Sequence, residues 1–337
     1  MRVVFLAASL LWLWGLDAQA CINSSVRDGA FLEPRDIHRL CAVLEPDDSV
    51  GRGIYERLRD WFQDSGKDLN IEFLRVVADD PTVRWSDYGV PSAPPALPVV
   101  VLAGWHPAER RSFFIDYWEP GPSIEDLEIL KESPVRQAIR CELVRKLAVL
   151  LYVRGTDSDA DSAEKVLDSV VDTWSKKEPL GVSVVILDRS DERERGLLSF
   201  MGVERTGPDW VGVMFGRGKL MPPLQGTEIT EAQLSELIQF LVGECTCLRP
   251  PSSFGVDIPM VWEETLDSAI VPLRVIDNPI GLAWNPPAIT EAGSSPFGRR
   301  IFTTALWTLG VLVFAVTLAT IVILWRRNRG DAAPLLD

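Results

Sequence analysis

Residues 40–77 read LCAVLEPDDSVGRGIYERLRDWFQDSGKDLNIEFLRVV, and the pattern in them decides the fold class. Leu40 to Glu45 is a short apolar run that stops at Pro46, the mark of a buried strand. Asp47, Asp48 and Ser49 then offer N-cap side chains for a helix. Inside that helix Ile54, Leu58, Trp61 and Phe62 fall at i, i+4, i+7 and i+8, which lines up one apolar stripe. Ser65-Gly66 ends it, and Ile71 to Val77 is apolar and β-branched enough for a second strand. Strand, helix, strand over so short a stretch is a βαβ unit.

Working outward, Pro98 to Leu102 starts a third strand behind a proline, with Arg111 to Trp118 as its hairpin partner and Ile124 to Arg140 as one helix. The same order then recurs. Ala148 to Val153 is a strand, Asp157 to Asp161 an acidic turn, and the next helix carries Val166, Leu167, Val170, Val171 and Trp174 on one face. Val182 to Leu187 is a strand, and Val211 to Phe215, Gly216-Arg217-Gly218-Lys219 and Leu220 read as strand, turn, strand. Leu234, Leu237, Ile238 and Leu241 mark a closing helix. The predicted fold class is α/β, two tandem domains, each with a mixed sheet holding an antiparallel part.

At these residues the chain resembles the thioredoxin superfamily, over about Leu40 to Cys247. The first unit shows it in Tyr88-Gly89-Val90 and in the Leu97-Pro98 step before an apolar strand. The second shows it in Met201-Gly202-Val203 and in the hairpin Val213-Met214-Phe215-Gly216-Arg217-Gly218. The resemblance implies two tandem thioredoxin-like domains and a cis proline at Pro98, facing the active site. In the second unit the corresponding strand start is Asp209-Trp210, with Pro208 displaced by two. The family places a Cys-x-x-Cys pair at the start of the first helix, where the helix N-terminus stabilises a thiolate. Here that place holds Asp47-Asp48-Ser49-Val50 in the first unit and falls within Asp157 to Asp161 in the second. Carboxylates suit a helix N-terminus but cannot exchange disulfides, so both units are expected to be redox-silent there.

Five cysteines, Cys21, Cys41, Cys141, Cys245 and Cys247, are too few for a disulfide scaffold. Cys245-Thr246-Cys247 is the candidate dithiol, because two sulfurs one residue apart close only a strained, labile ring. The same pair is a candidate soft-metal site, and the plainer reading staples one of them to Cys141 or leaves both idle. Cys41 lies within an apolar strand and reads as a small core residue. Asp157, Asp159 and Asp161 match the first half of a calcium loop with Asp168 at its twelfth position, but Ser162 stands where the loop needs glycine. A solvated helix-capping turn explains them more simply. With two histidines, His38 and His106, a zinc site or histidine triad has little material. No cofactor is expected.

The ends of the chain set the expected topology. Arg2, the apolar run Val3 to Leu16 and Ala18-Gln19-Ala20 form a cleavable signal peptide, with cleavage before Cys21. A cysteine after the cut is also the lipoprotein pattern, although Ala18 stands where that signal carries leucine. Ile301 to Trp325 holds no charge. At ~1.5 Å per residue it reaches about 37 Å, enough for a ~30 Å hydrocarbon core. Arg326, Arg327 and Arg329 follow and keep the C-terminus cytoplasmic. The expected domains are therefore a signal peptide (1–20), an N-terminal segment (21–39), thioredoxin-like domains at 40–143 and 144–247, a Pro/Ser-rich juxtamembrane stalk (248–300), a transmembrane helix (301–325) and a tail (326–337). Apolar pieces of the stalk, Ile258 to Trp262 and Ile270 to Ile276, offer surface for packing back on the second unit or on a neighbouring membrane protein.

A net charge of −14 and a pI of 4.7 make nucleic acid and anionic lipid poor partners. The expected function is a non-enzymatic module for binding, scaffolding or assembly, held at the cell membrane with its ectodomain on the periplasmic side. Its expected partners are the membrane and other membrane or secreted proteins. The rival is a thiol-disulfide oxidoreductase or copper chaperone using Cys245 and Cys247.

Overall fold

The computed structural model describes residues 25–78, 80, 83–90, 96–156, 160–243 and 253–273. The signal peptide, Cys21, Asp157, Asp159, Cys245, Cys247 and the 301–325 run lie outside the described residues, as does the side chain of Asp161. No helix among the described residues is long and apolar enough to cross a membrane.

The first unit runs β1 (His38–Leu44), α2 (Ser49–Asp64), β2 (Ile71–Val77), a 3-10 turn (Trp85–Tyr88), β3 (Val99–His106), β4 (Arg111–Trp118), α3 (Ile124–Lys131) and α4 (Pro134–Leu143), behind a short α1 (Val26–Ala30). Its sheet has the order β2-β1-β3-β4, with β1 and β2 parallel and the other pairs antiparallel. The Asp48 carboxylate caps α2 by accepting from the Val50 N–H at 2.9 Å, and Ile54, Leu58 and Trp61 are buried as the stripe requires. The single helix expected over Ile124 to Arg140 is two. Pro134 has no N–H to give, so the chain breaks at Glu132, and Ser133 caps a new helix through the Arg136 N–H.

The second unit repeats the plan with β5 (Ala148–Val153), α5 (Ala160–Lys177), β6 (Val182–Leu187), α6 (Arg195–Phe200), β7 (Trp210–Phe215), β8 (Lys219–Leu220), β9 (Leu224–Gln225) and α7 (Glu231–Val242). Its sheet order is β10 (Val256–Asp257), β8, β7, β5, β6, with β9 also on β7. β5 and β6 are parallel and β7 antiparallel to β5, the same relation as β1, β2 and β3. Two mixed sheets of this order fit tandem thioredoxin-like units.

Alternate residues divide the faces of each sheet. Leu40, Ala42 and Leu44 pack on α2 and α3, while Cys41 and Val43 lie under Val83, Trp85, Tyr88 and Val90. In the second sheet Ala148, Leu150 and Tyr152 pack on α5 and α7. Val149, Leu151 and Val153 face the other way and join Ile139 and Leu143 of α4 in one core with the first unit.

Both ends of the described chain are woven into the second unit. The α1 helix begins with the Val26 N–H donating to the Gly243 carbonyl at 2.9 Å, just past α7. Residues 253–273, within the Pro/Ser-rich stretch, return as β10 (Val256–Asp257) beside β8, then α8 (Glu264–Asp267). Between them Val261 bridges Leu69, and the Trp262 N–H donates to the Asp68 carbonyl at 3.2 Å. The buried Arg27 guanidinium donates to the carbonyls of Leu143, Lys146 and Val271, tying α1 to the end of α4 and to this return segment.

Candidate functional site

Register relates the strand starts of the two units. Val43 pairs with Val99 and Val153 with Trp210, so Pro98 and Asp209 stand at equivalent places, one residue before β3 and β7. The Leu97–Pro98 peptide bond is cis. Pro98 thus lies at the end of the sheet where β1 leads into α2, the end that carries Asp47, Asp48 and an exposed Val50. Those positions present two carboxylates and an apolar side chain.

In the second unit the Asp209 carboxylate takes over. Its Oδ1 accepts from the Tyr152 hydroxyl and from the Gly155 N–H, both at 2.8 Å. Burial, together with the Asp209 hydrogen bond, pushes the Tyr152 hydroxyl up to about 12, so it stays a donor. Gly155 is required there: a Cβ would lie 2.7 Å from the Asp209 nitrogen. The Arg189 guanidinium donates to the carbonyls of Arg154, Glu204 and Pro208, closing the loops around the strand ends. Beside them opens a cleft of about 510 Å³ that includes Thr156, Ile186, Asp188 and Arg205. The arrangement holds loops together and offers polar groups for contact. The residues that line the cleft include no cysteine.

Of the sequence-predicted residues, the structure describes few. Asp168 is exposed on α5, and no cluster of metal ligands occurs among the described residues. Cys41 is fully buried in β1, and burial pushes its thiol up to about 12. Cys141 is exposed. Iodoacetamide at neutral pH should therefore label Cys141 in the native chain and Cys41 only after unfolding, as read by peptide mass spectrometry. Labelling of both at one rate in the folded state would contradict this burial.

Sequence reasoning missed the largest polar constellation, which lies where the N-terminal segment, the β7–β8 hairpin and the return segment meet. Lys219 Nζ sits 3.3 Å from Asp36 Oδ2 and 3.2 Å from Asp257 Oδ2, with Lys219 1% and Asp257 2% exposed. Burial first, and the neighbouring Asp257 second, raise the Asp36 pKa. Asn70 adds two donor contacts, to the carbonyls of Asp36 and Ile258, and accepts from the Met260 N–H at 2.9 Å. His38 Nδ1 accepts from the Trp105 N–H, so Nε2 carries the proton and donates to the Asp257 carbonyl at 2.6 Å. Burial lowers the His38 pKa to about 4 and keeps the ring neutral. Fully satisfied and enclosed, these groups are a structural latch. No periodicity could have found it, since Lys219 reads as a turn residue and Asp257 as part of a stalk.

No protein-family model matches the sequence, and no curated protein sequence matches it. Among solved structures, similarity extends to the N-terminal domain of alkylhydroperoxide reductase AhpF from Enterococcus faecalis, covering 63% of this chain and 94% of that one at 14% identity and TM-score 0.21. The first two thioredoxin domains of Saccharomyces cerevisiae Eps1p are similar over 60% of this chain and 92% of that one, at 9% identity and TM-score 0.22. Human ERp44 in its zinc-bound form is similar over 67% and 63%, at 14% identity and TM-score 0.23. Among the described residues of this chain the two sheets share one plan, a parallel pair followed by an antiparallel neighbour.

Proposed function

We propose that the chain is a membrane-anchored, extracytoplasmic protein whose two thioredoxin-like units are redox-inactive and serve binding, scaffolding or assembly. One observation carries this reading: the start of α2, beside cis-Pro98, holds a helix-capping carboxylate in place of a thiol, and Asp209 occupies the proline's place in the second unit. A capped helix end and an occupied strand end leave surface for contact but no group that attacks a disulfide. Anchoring follows from the apolar run Ile301 to Trp325 and its flanking arginines.

The full chain in detergent should show no insulin-reductase or disulfide-isomerase activity above background. Turnover that disappears in the Cys245→Ser/Cys247→Ser double variant would replace this reading with the oxidoreductase one. In intact cells with the outer membrane opened, protease should remove the ectodomain and spare a tag after Asp337. A protected ectodomain with a digested tag would overturn the topology.

A further inference from the structure

The second face of the first sheet is only partly covered. Cys41, Val43, Val99 and Val101 lie under the 83–90 segment. Towards the other end of the same strands a cleft of about 460 Å³ opens, lined by residues that include Pro34, Arg35, Ile37, Arg39, Glu72 and Trp105. That volume is within the range of roughly 300–1,000 Å³ usual for binding pockets. Its apolar surface is real: Ile37 is 48% exposed, and the half-buried Trp105 ring lies 5.9 Å from the Arg39 guanidinium.

The charges lining the cleft are those of Glu33, Arg35, Asp36, Arg39 and Glu72. Arg39 Nε pairs with Glu72 at 2.7 Å, and Asp36 is held by Lys219 and by the Asp257 N–H. Arg35 is different. Its Nη2 makes a long contact of 3.4 Å to the Ile258 carbonyl, its Nε is buried with no hydrogen-bond partner, and it forms no ion pair among the described residues. Burial pulls its pKa down to about 10; the charge of Asp257 opposes this, the like charge of Arg217 adds to it, and Asp36 opposes it more weakly. A desolvated guanidinium with spare donors beside an apolar wall favours a carboxylate carried on an apolar segment.

We propose that this cleft binds an extended, apolar-flanked segment of a partner protein through one carboxylate, which pairs with Arg35 while a neighbouring apolar side chain rests on Ile37 and Trp105. The proposal rests on the binding-module reading and names the chemistry of its partner. Acidic overall, the chain repels most carboxylates, so Arg35 gives the site selectivity as well as affinity.

The test uses the full chain in nanodiscs and two fluorescein-labelled peptides, Leu-Val-Glu-Leu-amide and its counterpart Leu-Val-Gln-Leu-amide, followed by fluorescence anisotropy. The Glu peptide should bind about tenfold more tightly or better, the effect of one charge-assisted hydrogen bond. Arg35→Gln should bring the two affinities to within about twofold of each other, whereas the surface change Ile37→Ser should weaken both and keep their ratio. Equal affinities for the two peptides, no saturable binding of either, or an unchanged ratio in the folded Arg35→Gln chain would overturn the proposal. The comparison of Glu and Gln peptides on the unaltered chain stands even if that variant fails to fold. Insulin reduction through Cys245 and Cys247 would sink the module reading while leaving this ratio untouched, so the two failures are told apart.

Discussion

Replacing Glu194 by alanine should destabilise the folded chain by about 3–5 kcal/mol, the usual cost of leaving one member of a buried ion pair alone. Glu194 and Arg136 are essentially without solvent contact, with Arg136 Nη1 3.4 Å from Glu194 Oε2. Burial already lowers the Arg136 pKa, and Glu194 is the first of the charges that oppose this. Glu194 also accepts from the Ser133 hydroxyl at 2.9 Å and from the Val135 N–H at 3.3 Å, so it caps α4 from the second unit. Alanine removes charge and cap together. Denaturant unfolding of the full chain in detergent should show the loss as a shift in midpoint. Adding Arg136→Met to Glu194→Leu should recover part of it, because two apolar side chains leave no orphaned charge. If the single variant is as stable as the parent, the pair does not hold the two units together.

Lys219→Met should have an effect of similar size, about 3–5 kcal/mol at neutral pH, and its dependence on pH identifies the cause. Methionine leaves Asp36 and Asp257 facing each other with no cation between them. The raised pKa of Asp36 means the folded chain holds its proton more tightly than the unfolded chain. Its contribution to stability is therefore present at low pH and lost as pH rises through that raised value. Lys219 offsets the cost of the ionised form, so removing it hurts most above that pH. The gap between variant and parent should narrow as pH falls and Asp36 takes up a proton. His38 acts oppositely: its pKa is lowered from 6.5 to about 4, so its contribution is present above 6.5 and lost as pH falls towards 4. Lys219 is the last of the causes that lower the His38 pKa, so its removal changes the His38 contribution less than that of Asp36. A gap that is flat with pH would mean that Lys219 acts through packing alone.

Periodicity made most of the fold legible because each unit follows local rules. The stripe Ile54, Leu58 and Trp61 is buried in α2, and Leu167, Val170 and Trp174 are buried in α5. A Pro134 inside an otherwise helical pattern was the signal for the break after α3, and it outweighs the apolar spacing around it. The charged seam was not legible, for a different reason. Asp36, Lys219 and Asp257 come from three distant stretches, and each taken alone has the look of a solvated turn or linker residue. Burial of a charge depends on tertiary neighbours, about which local composition says nothing. The thiol-free helix start was legible at once, since Asp47-Asp48-Ser49-Val50 carries no sulfur whatever the packing. Asp209 in the place of Pro98 needed the strand register.

The clasp of Arg27 on the Val271 carbonyl sets an order of events during synthesis. Arg27 is made long before one of its partners, Val271, which lies 244 positions later. Domains made early on a ribosome commonly fold while later ones are still being translated. In this chain the first sheet is able to form early, but α1 rests against α7 and the return segment, which are made near the end. A nascent chain halted before residue 256 lacks β10, Asp257 and the strand that covers Lys219. Its hairpin and the segment before β1 then lack the partners that enclose Lys219 and Asp36 in the finished chain.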